Sequence, residues 1–135
     1  MREVKVLDGA GNLKKVISDK LRMIIGGLYV AFIIFMSLVP GGSGSFLPNI
    51  DPSEHDVLSH FIAYFIMMLW YARIYSAKYF PHLAVIFILL GIGLEYMQGI
   101  SGTREFQAID IWFNSTGVIF AWLLARTRFA PEISH

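Results

Sequence analysis

Charge is missing from four long stretches of this chain, and that pattern constrains the fold more than any other feature. Residues 23–39, 57–72, 79–94 and 111–125 contain no Asp, Glu, Lys or Arg. A helix that crosses the hydrocarbon core of a bilayer needs roughly 20 mainly apolar residues. A helix on the surface of a soluble domain carries a polar face instead. Composition agrees: 56% of the 135 residues are hydrophobic, 16% are charged, and the mean hydropathy is +0.58. Ordinary soluble domains carry about a quarter charged residues. The apolar content excludes disorder, and a net charge of +1 lacks the basic stripe of a nucleic-acid binder. The absence of cysteine removes disulfides, zinc–thiolate sites and thiol catalysis. The expectation is an all-α integral membrane protein, a four-helix bundle preceded by a short interfacial N-terminal segment.

The four charge-free cores hold 17, 16, 16 and 15 residues, so each span must extend past its own boundary. A third span of roughly 20 residues from Tyr79 takes in Glu95 and Gln98. A fourth ending at Thr127 starts at Ala108 and takes in Asp110. The second already contains His60. Polar groups are therefore expected inside the spans.

Orientation follows from Lys and Arg. Ten of the eleven basic residues lie on alternate sides in one sense: Arg2, Lys5, Lys14, Lys15, Lys20 and Arg22 before the first span, Arg73 and Lys78 between the second and third, Arg126 and Arg128 after the fourth. Arg104 alone lies on the other side. The positive-inside rule then predicts a multi-pass protein of the inner (cytoplasmic) membrane, with both termini cytoplasmic and the 40–56 loop outside. The first apolar core is longer than a signal-peptide h-region and no A-x-A site follows before Pro40, so it reads as a retained span. The chain divides into a cytoplasmic or interfacial segment 1–22, a four-helix membrane domain 23–127 and a short cytoplasmic tail 128–135.

Within the first segment, residues 8–12 (DGAGN) read as a turn. Leu13, Val16, Ile17 and Leu21 then share one helical face, with Lys14, Lys15 and Lys20 available to lipid headgroups, the pattern of an interfacial helix. Trp70, Tyr71, Tyr75, Tyr79 and Phe80 cluster where aromatic belt residues sit. Gly26, Gly27, Gly91 and Gly93 read as points of close helix approach. Phe32, Phe35, Met67 and Phe87 read as outward-facing, toward lipid or a partner.

Ionisable residues inside a membrane are costly, so each calls for a partner or a task. His60 and Tyr64 are four apart on the second span; Glu95 and Gln98 are three apart on the third; Arg104 follows on a short loop. Asp110, Asn114 and Gly117 form one stripe on the fourth span at i, i+4 and i+7. Under the predicted topology all of them fall in the outer half of the bilayer.

These residues bring the chain close to a known family. Ser37-Leu38-Val39-Pro40 ends the first span, Asp56-x-x-x-His60-Phe61-x-x-Tyr64 enters the second, and Glu95-x-x-Gln98 closes the third. Arg104 follows, then Asp110-x-x-x-Asn114-x-x-Gly117. In order and spacing, over residues 37–125, the chain resembles the VanZ-like family of small membrane proteins, named from a teicoplanin-resistance protein. One departure is visible: Val57 stands where the family often places Lys. The resemblance implies the four-span fold and a polar centre of His60, Tyr64, Glu95, Gln98, Arg104, Asp110 and Asn114. It implies no particular reaction.

Four readings of that centre stand. The groups can fix how the second, third and fourth spans pack. They can recognise a polar ligand from outside, such as a lipid headgroup, a lipid-linked cell-envelope precursor or a glycopeptide, with Arg104 clamping an anion. They can act chemically, His60 with Glu95 and Asp110 serving as acid, base or facial metal ligands, although no metal motif such as H-E-x-x-H is present. Neither a metal nor a cofactor is expected. Finally, the protein can be an accessory subunit that docks onto a larger membrane complex. The loop 40–55 reads either as a lid over the centre or as a solvated linker.

Overall fold

The computed structural model describes residues 2–39, 52–102 and 105–129, with side chains over 9–39, 57–102 and 105–128. The chain is all-α: α1 spans Arg2–Leu38, α2 Pro52–Ala72, α3 Phe80–Ser101 and α4 Ala108–Phe129, with one 3-10 turn, Ala77–Tyr79, ahead of α3. Three stretches are long and apolar enough to cross a membrane, Gly9–Leu38, Ala77–Ser101 and Ala108–Arg128. In α2 the apolar part is the shorter Val57–Ala72.

Local chemistry sets the boundaries. Pro81 lies in the first turn of α3, where its missing N–H removes no helical hydrogen bond. Gly102 ends α3 with φ of 68°, the left-handed conformation that favours glycine after a helix. In α4, Asp110 occupies the first turn and Arg126 and Arg128 the last, each opposing the partial charge of its helix end. The helix starts at Ala108, where the length requirement placed it, and carries Asp110 inside. α3 likewise carries Glu95 and Gln98. α2 starts at Pro52, so residues 52–56, assigned by sequence to the outer loop, belong to a helix of 21 residues. At about 1.5 Å per residue the whole helix is roughly 31 Å long, but its apolar part falls short of the three span-length stretches.

The turn expected over residues 8–12 is absent: α1 runs unbroken through Gly9 and Gly11. A helical glycine costs only about 1 kcal/mol relative to alanine, whereas breaking the helix there demands a second nucleation. The segment read from the sequence as an interfacial helix is thus the first part of α1 rather than a separate helix.

α2 packs far more extensively on α4 than on its sequence neighbours α1 and α3. Tyr64, Met67 and Met68 of α2 and Val118, Ala121 and Ala125 of α4 are buried in this seam, and Phe80, Ala84, Phe87 and Leu94 of α3 close the core beside it. Met67 and Phe87 therefore face inward, contrary to the outward reading, while Phe32 and Phe35 are exposed as expected. Phe87 packs against Tyr71 at 5.2 Å between ring centroids. α1 is tied to α2 by two side-chain bonds to carbonyls. Tyr29 Oη donates to Ala63 O at 3.0 Å, and Trp70 Nε1 donates to Arg22 O at 3.0 Å.

Candidate functional site

Antiparallel succession brings the C-terminal ends of α1 and α3 together with the N-terminal ends of α2 and α4. The polar residues singled out from the sequence meet at this end of the bundle. Glu95, Gln98, Asp110 and Asn114 are the buried polar side chains among the described residues. On α4, Asp110, Asn114 and Gly117 are all buried, as one inward stripe.

His60 connects α2 to that stripe. Its Nδ1 lies 3.0 Å from Asn114 Oδ1, and its Nε2 lies 3.6 Å from Asp110 Oδ2. Asn114 and Asp110 are one turn apart, so the imidazole spans a turn of α4. Both facing atoms are acceptors. A neutral ring, with one N–H, donates to one of them; an imidazolium donates to both. The ring keeps 15% of its surface accessible, while Asp110 has none.

The contact is close because of what lies beneath it. A Cβ on Gly117 would collide with the carbonyl oxygen of Phe61 and stand 3.2 Å from Phe65 N. Only a residue without a side chain lets α4 approach α2 this closely. Gly91 of α3 does the same at the junction of three helices, since a Cβ there would meet Asn114 Nδ2 at 3.2 Å and Tyr64 Cε1 at 3.3 Å. Tyr64 is buried against this junction. Gly26 is also closely packed, by Trp70 and Tyr71, whereas Gly27 and Gly93 face open space.

α3 supplies the other wall. Glu95 Oε1 accepts the backbone N–H of Gln107 at 2.6 Å. Gln107 immediately precedes α4, and its carbonyl accepts the Asp110 N–H at 3.0 Å in the first turn. Helix starts leave N–H groups without intrahelical partners, a serious cost in a bilayer. The Glu95 side chain therefore acts as a cap from the neighbouring helix, its Oε1 taking the N–H at the start of α4. Glu95 also lies within electrostatic reach of Asp110 and His60. One turn on, Gln98 Nε2 donates to Ser37 O at 2.6 Å, joining α3 to the end of α1. Its buried Oε1 has no hydrogen-bond partner among the described residues.

The structure thus gathers His60, Tyr64, Glu95, Gln98, Asp110 and Asn114. Arg104 and most of the 40–55 loop, with its lid reading, lie outside the described residues. Among the described residues no group of three His, Cys, Asp or Glu is placed to hold a metal ion, so the facial ligand set of His60, Glu95 and Asp110 is not assembled. Two participants escaped sequence reasoning, the Gln107 N–H and the Ser37 carbonyl. The available signal was positional: a carboxylate near the end of one span and a short loop leading to the uncapped start of the next. Chemically the cluster offers carboxyl and amide acceptors, all buried, and an imidazole that is partly accessible. No family model matches the chain, and neither a curated protein nor a solved structure matches it.

Proposed function

We propose that the chain is a VanZ-like protein of the inner membrane, both termini cytoplasmic, whose outward-facing polar cluster binds the headgroup of a lipid or of a lipid-linked cell-envelope precursor. The carrying observation is the burial of four polar side chains, two of them carboxyl groups, at one end of an otherwise apolar bundle. Interhelical hydrogen bonds in membranes average about 0.6 kcal/mol, while burying even partly paired charge costs several kcal/mol. Packing alone gives such groups little reason to be there, and intramembrane ionisable residues mark functional sites. His60 keeps part of its ring accessible. The Gln98 Oε1, buried and without a hydrogen-bond partner among the described residues, is an acceptor that a hydroxyl or amine donor of a headgroup would satisfy on entering the cluster.

A second reading, that the cluster fixes helix register, draws on a specific observation: Glu95 caps α4 and His60 bridges α2 to α4. The two separate by experiment. The protein is extracted in native-lipid nanodiscs and its retained lipid identified by mass spectrometry, for the wild type, His60→Phe and Arg104→Lys. Headgroup binding predicts a stoichiometric polar lipid in the wild type, lost in both variants while helicity is kept. A wild type that retains no such lipid refutes it and leaves the register reading.

A further inference from the structure

α1 has 37 residues and is about 55 Å long at 1.5 Å per residue, against a hydrocarbon core of about 30 Å. Its attachment to the bundle begins at Arg22, whose carbonyl holds the Trp70 indole, and continues at Gly26, packed by Trp70 and Tyr71. On the N-terminal side of that anchor every residue from Gly9 to Ile17 is exposed. This exposed part is not uniformly polar. Leu13, Ile17, Leu21, Ile24 and Leu28 recur at intervals of three and four and all stand open. They form one stripe on the side of α1 opposite Gly26 and Ile33, which face the bundle. The stripe is therefore continuous from the lipid-facing side of the span into the segment beyond it.

Charge is arranged about the stripe. At 100° per residue, Lys14 and Lys20 fall on its two flanks, while Asp19, paired with Arg22 at 3.8 Å, falls on the far side. Cations flanking an apolar stripe are the pattern of a helix lying in a bilayer interface, with its lysine stems along the acyl chains and their ammonium groups at phosphate level. A second copy suits the face poorly. Two chains inserted in the same sense meet in parallel, which sets Lys14 near Lys14 and Lys20 near Lys20.

We propose that the part of α1 ahead of the Trp70 anchor bends toward its apolar stripe and docks on the surface of an anionic lipid leaflet, with Leu13, Ile17 and Leu21 in the headgroup boundary and Lys14 and Lys20 on lipid phosphates. The polar cluster at the opposite end of the bundle plays no part in this.

The chain lacks cysteine, so Ile17→Cys gives a unique site for an environment-sensitive fluorophore in the full-length protein, and Lys15→Cys a control on the opposite side. Each is placed in nanodiscs of phosphatidylcholine alone or mixed with phosphatidylglycerol; both leaflets being alike, membrane orientation does not matter. The label at 17 is expected to blue-shift and lose accessibility to an aqueous quencher only in anionic discs, and high salt reverses this. The label at 15 stays wet. Adding Lys14→Gln and Lys20→Gln lowers the docked-to-free ratio roughly 30-fold, from about 1 kcal/mol per basic residue at an anionic surface. A label at 17 that is equally wet or equally dry in both lipids overturns the proposal. So does dryness that tracks the number of chains per disc, which assigns the face to a second copy.

Discussion

Gly117→Ala tests whether the α2–α4 seam holds the polar cluster together. The added Cβ meets the Phe61 carbonyl oxygen and stands 3.2 Å from Phe65 N and 3.3 Å from Phe61 C. All three atoms belong to the α2 backbone, so no rotamer change relieves the contact and the two helices must separate. Overpacking costs about 1–3 kcal/mol, and a backbone collision places this case near the upper end. Asn114 sits one turn from Gly117 and its 3.0 Å contact with His60 spans the same seam. Separation breaks that bond, at about 0.6 kcal/mol. Alanine returns about 1 kcal/mol through its better helix propensity. The expected net loss is about 2–3 kcal/mol. Reversible unfolding in mixed micelles, titrated with a denaturing detergent and followed by helicity, measures it. Gly93→Ala supplies the control, because a Cβ there meets nothing within 4 Å, and it should be neutral or slightly stabilising. If Gly117→Ala unfolds at the same detergent fraction as Gly93→Ala, the seam does not depend on this close approach and the reasoning fails.

Three further outcomes follow from other contacts. Glu95→Gln keeps an acceptor for the Gln107 N–H and should lose less than about 1 kcal/mol, whereas Glu95→Leu leaves that amide unpaired, at about 1–3 kcal/mol. Hydrogen exchange at Gln107 should accelerate only in the leucine variant. A double-mutant cycle of His60→Phe and Asn114→Leu should return a coupling of about 0.6 kcal/mol; zero coupling would show that the 3.0 Å contact contributes nothing. Trp70→Phe retains an aromatic ring against Gly26 but loses the bond to the Arg22 carbonyl. It should cost about 1 kcal/mol and speed tryptic cleavage after Arg22 in nanodiscs.

The fold class was legible because the bilayer imposes a length. That requirement placed the start of α4 at Ala108 and drew Asp110, Glu95 and Gln98 into helices before any packing was considered. The polar residues that meet at one end of the bundle were legible for the same reason, since a His, Glu or Asp in an apolar stretch stands out against its surroundings. Facing was not legible. Lipid and protein core are equally apolar, so nothing in the residue types of Met67 and Phe87 distinguished burial from lipid contact. The Gln107 amide and Ser37 carbonyl were invisible because every residue carries those groups. The 8–12 stretch misled because glycine reports local freedom, whereas continuation of α1 depends on the hydrogen-bond ladder on both sides.

The pairing of α2 with α4 rather than with its neighbours in sequence has a consequence for biosynthesis. Helices are synthesised in chain order, so α2 emerges with His60 well before Asp110 and Asn114 have left the ribosome. Glu95 arrives ahead of the amide it caps. Until α4 is delivered, the nascent three-helix species carries these groups without the contacts described here, and the apolar part of its α2 falls short of the span-length stretches. The last helix is thus the one that completes the protein. A chain stopped short of residue 108 should be a substrate for membrane quality control, and α4 supplied as a separate polypeptide should rescue it.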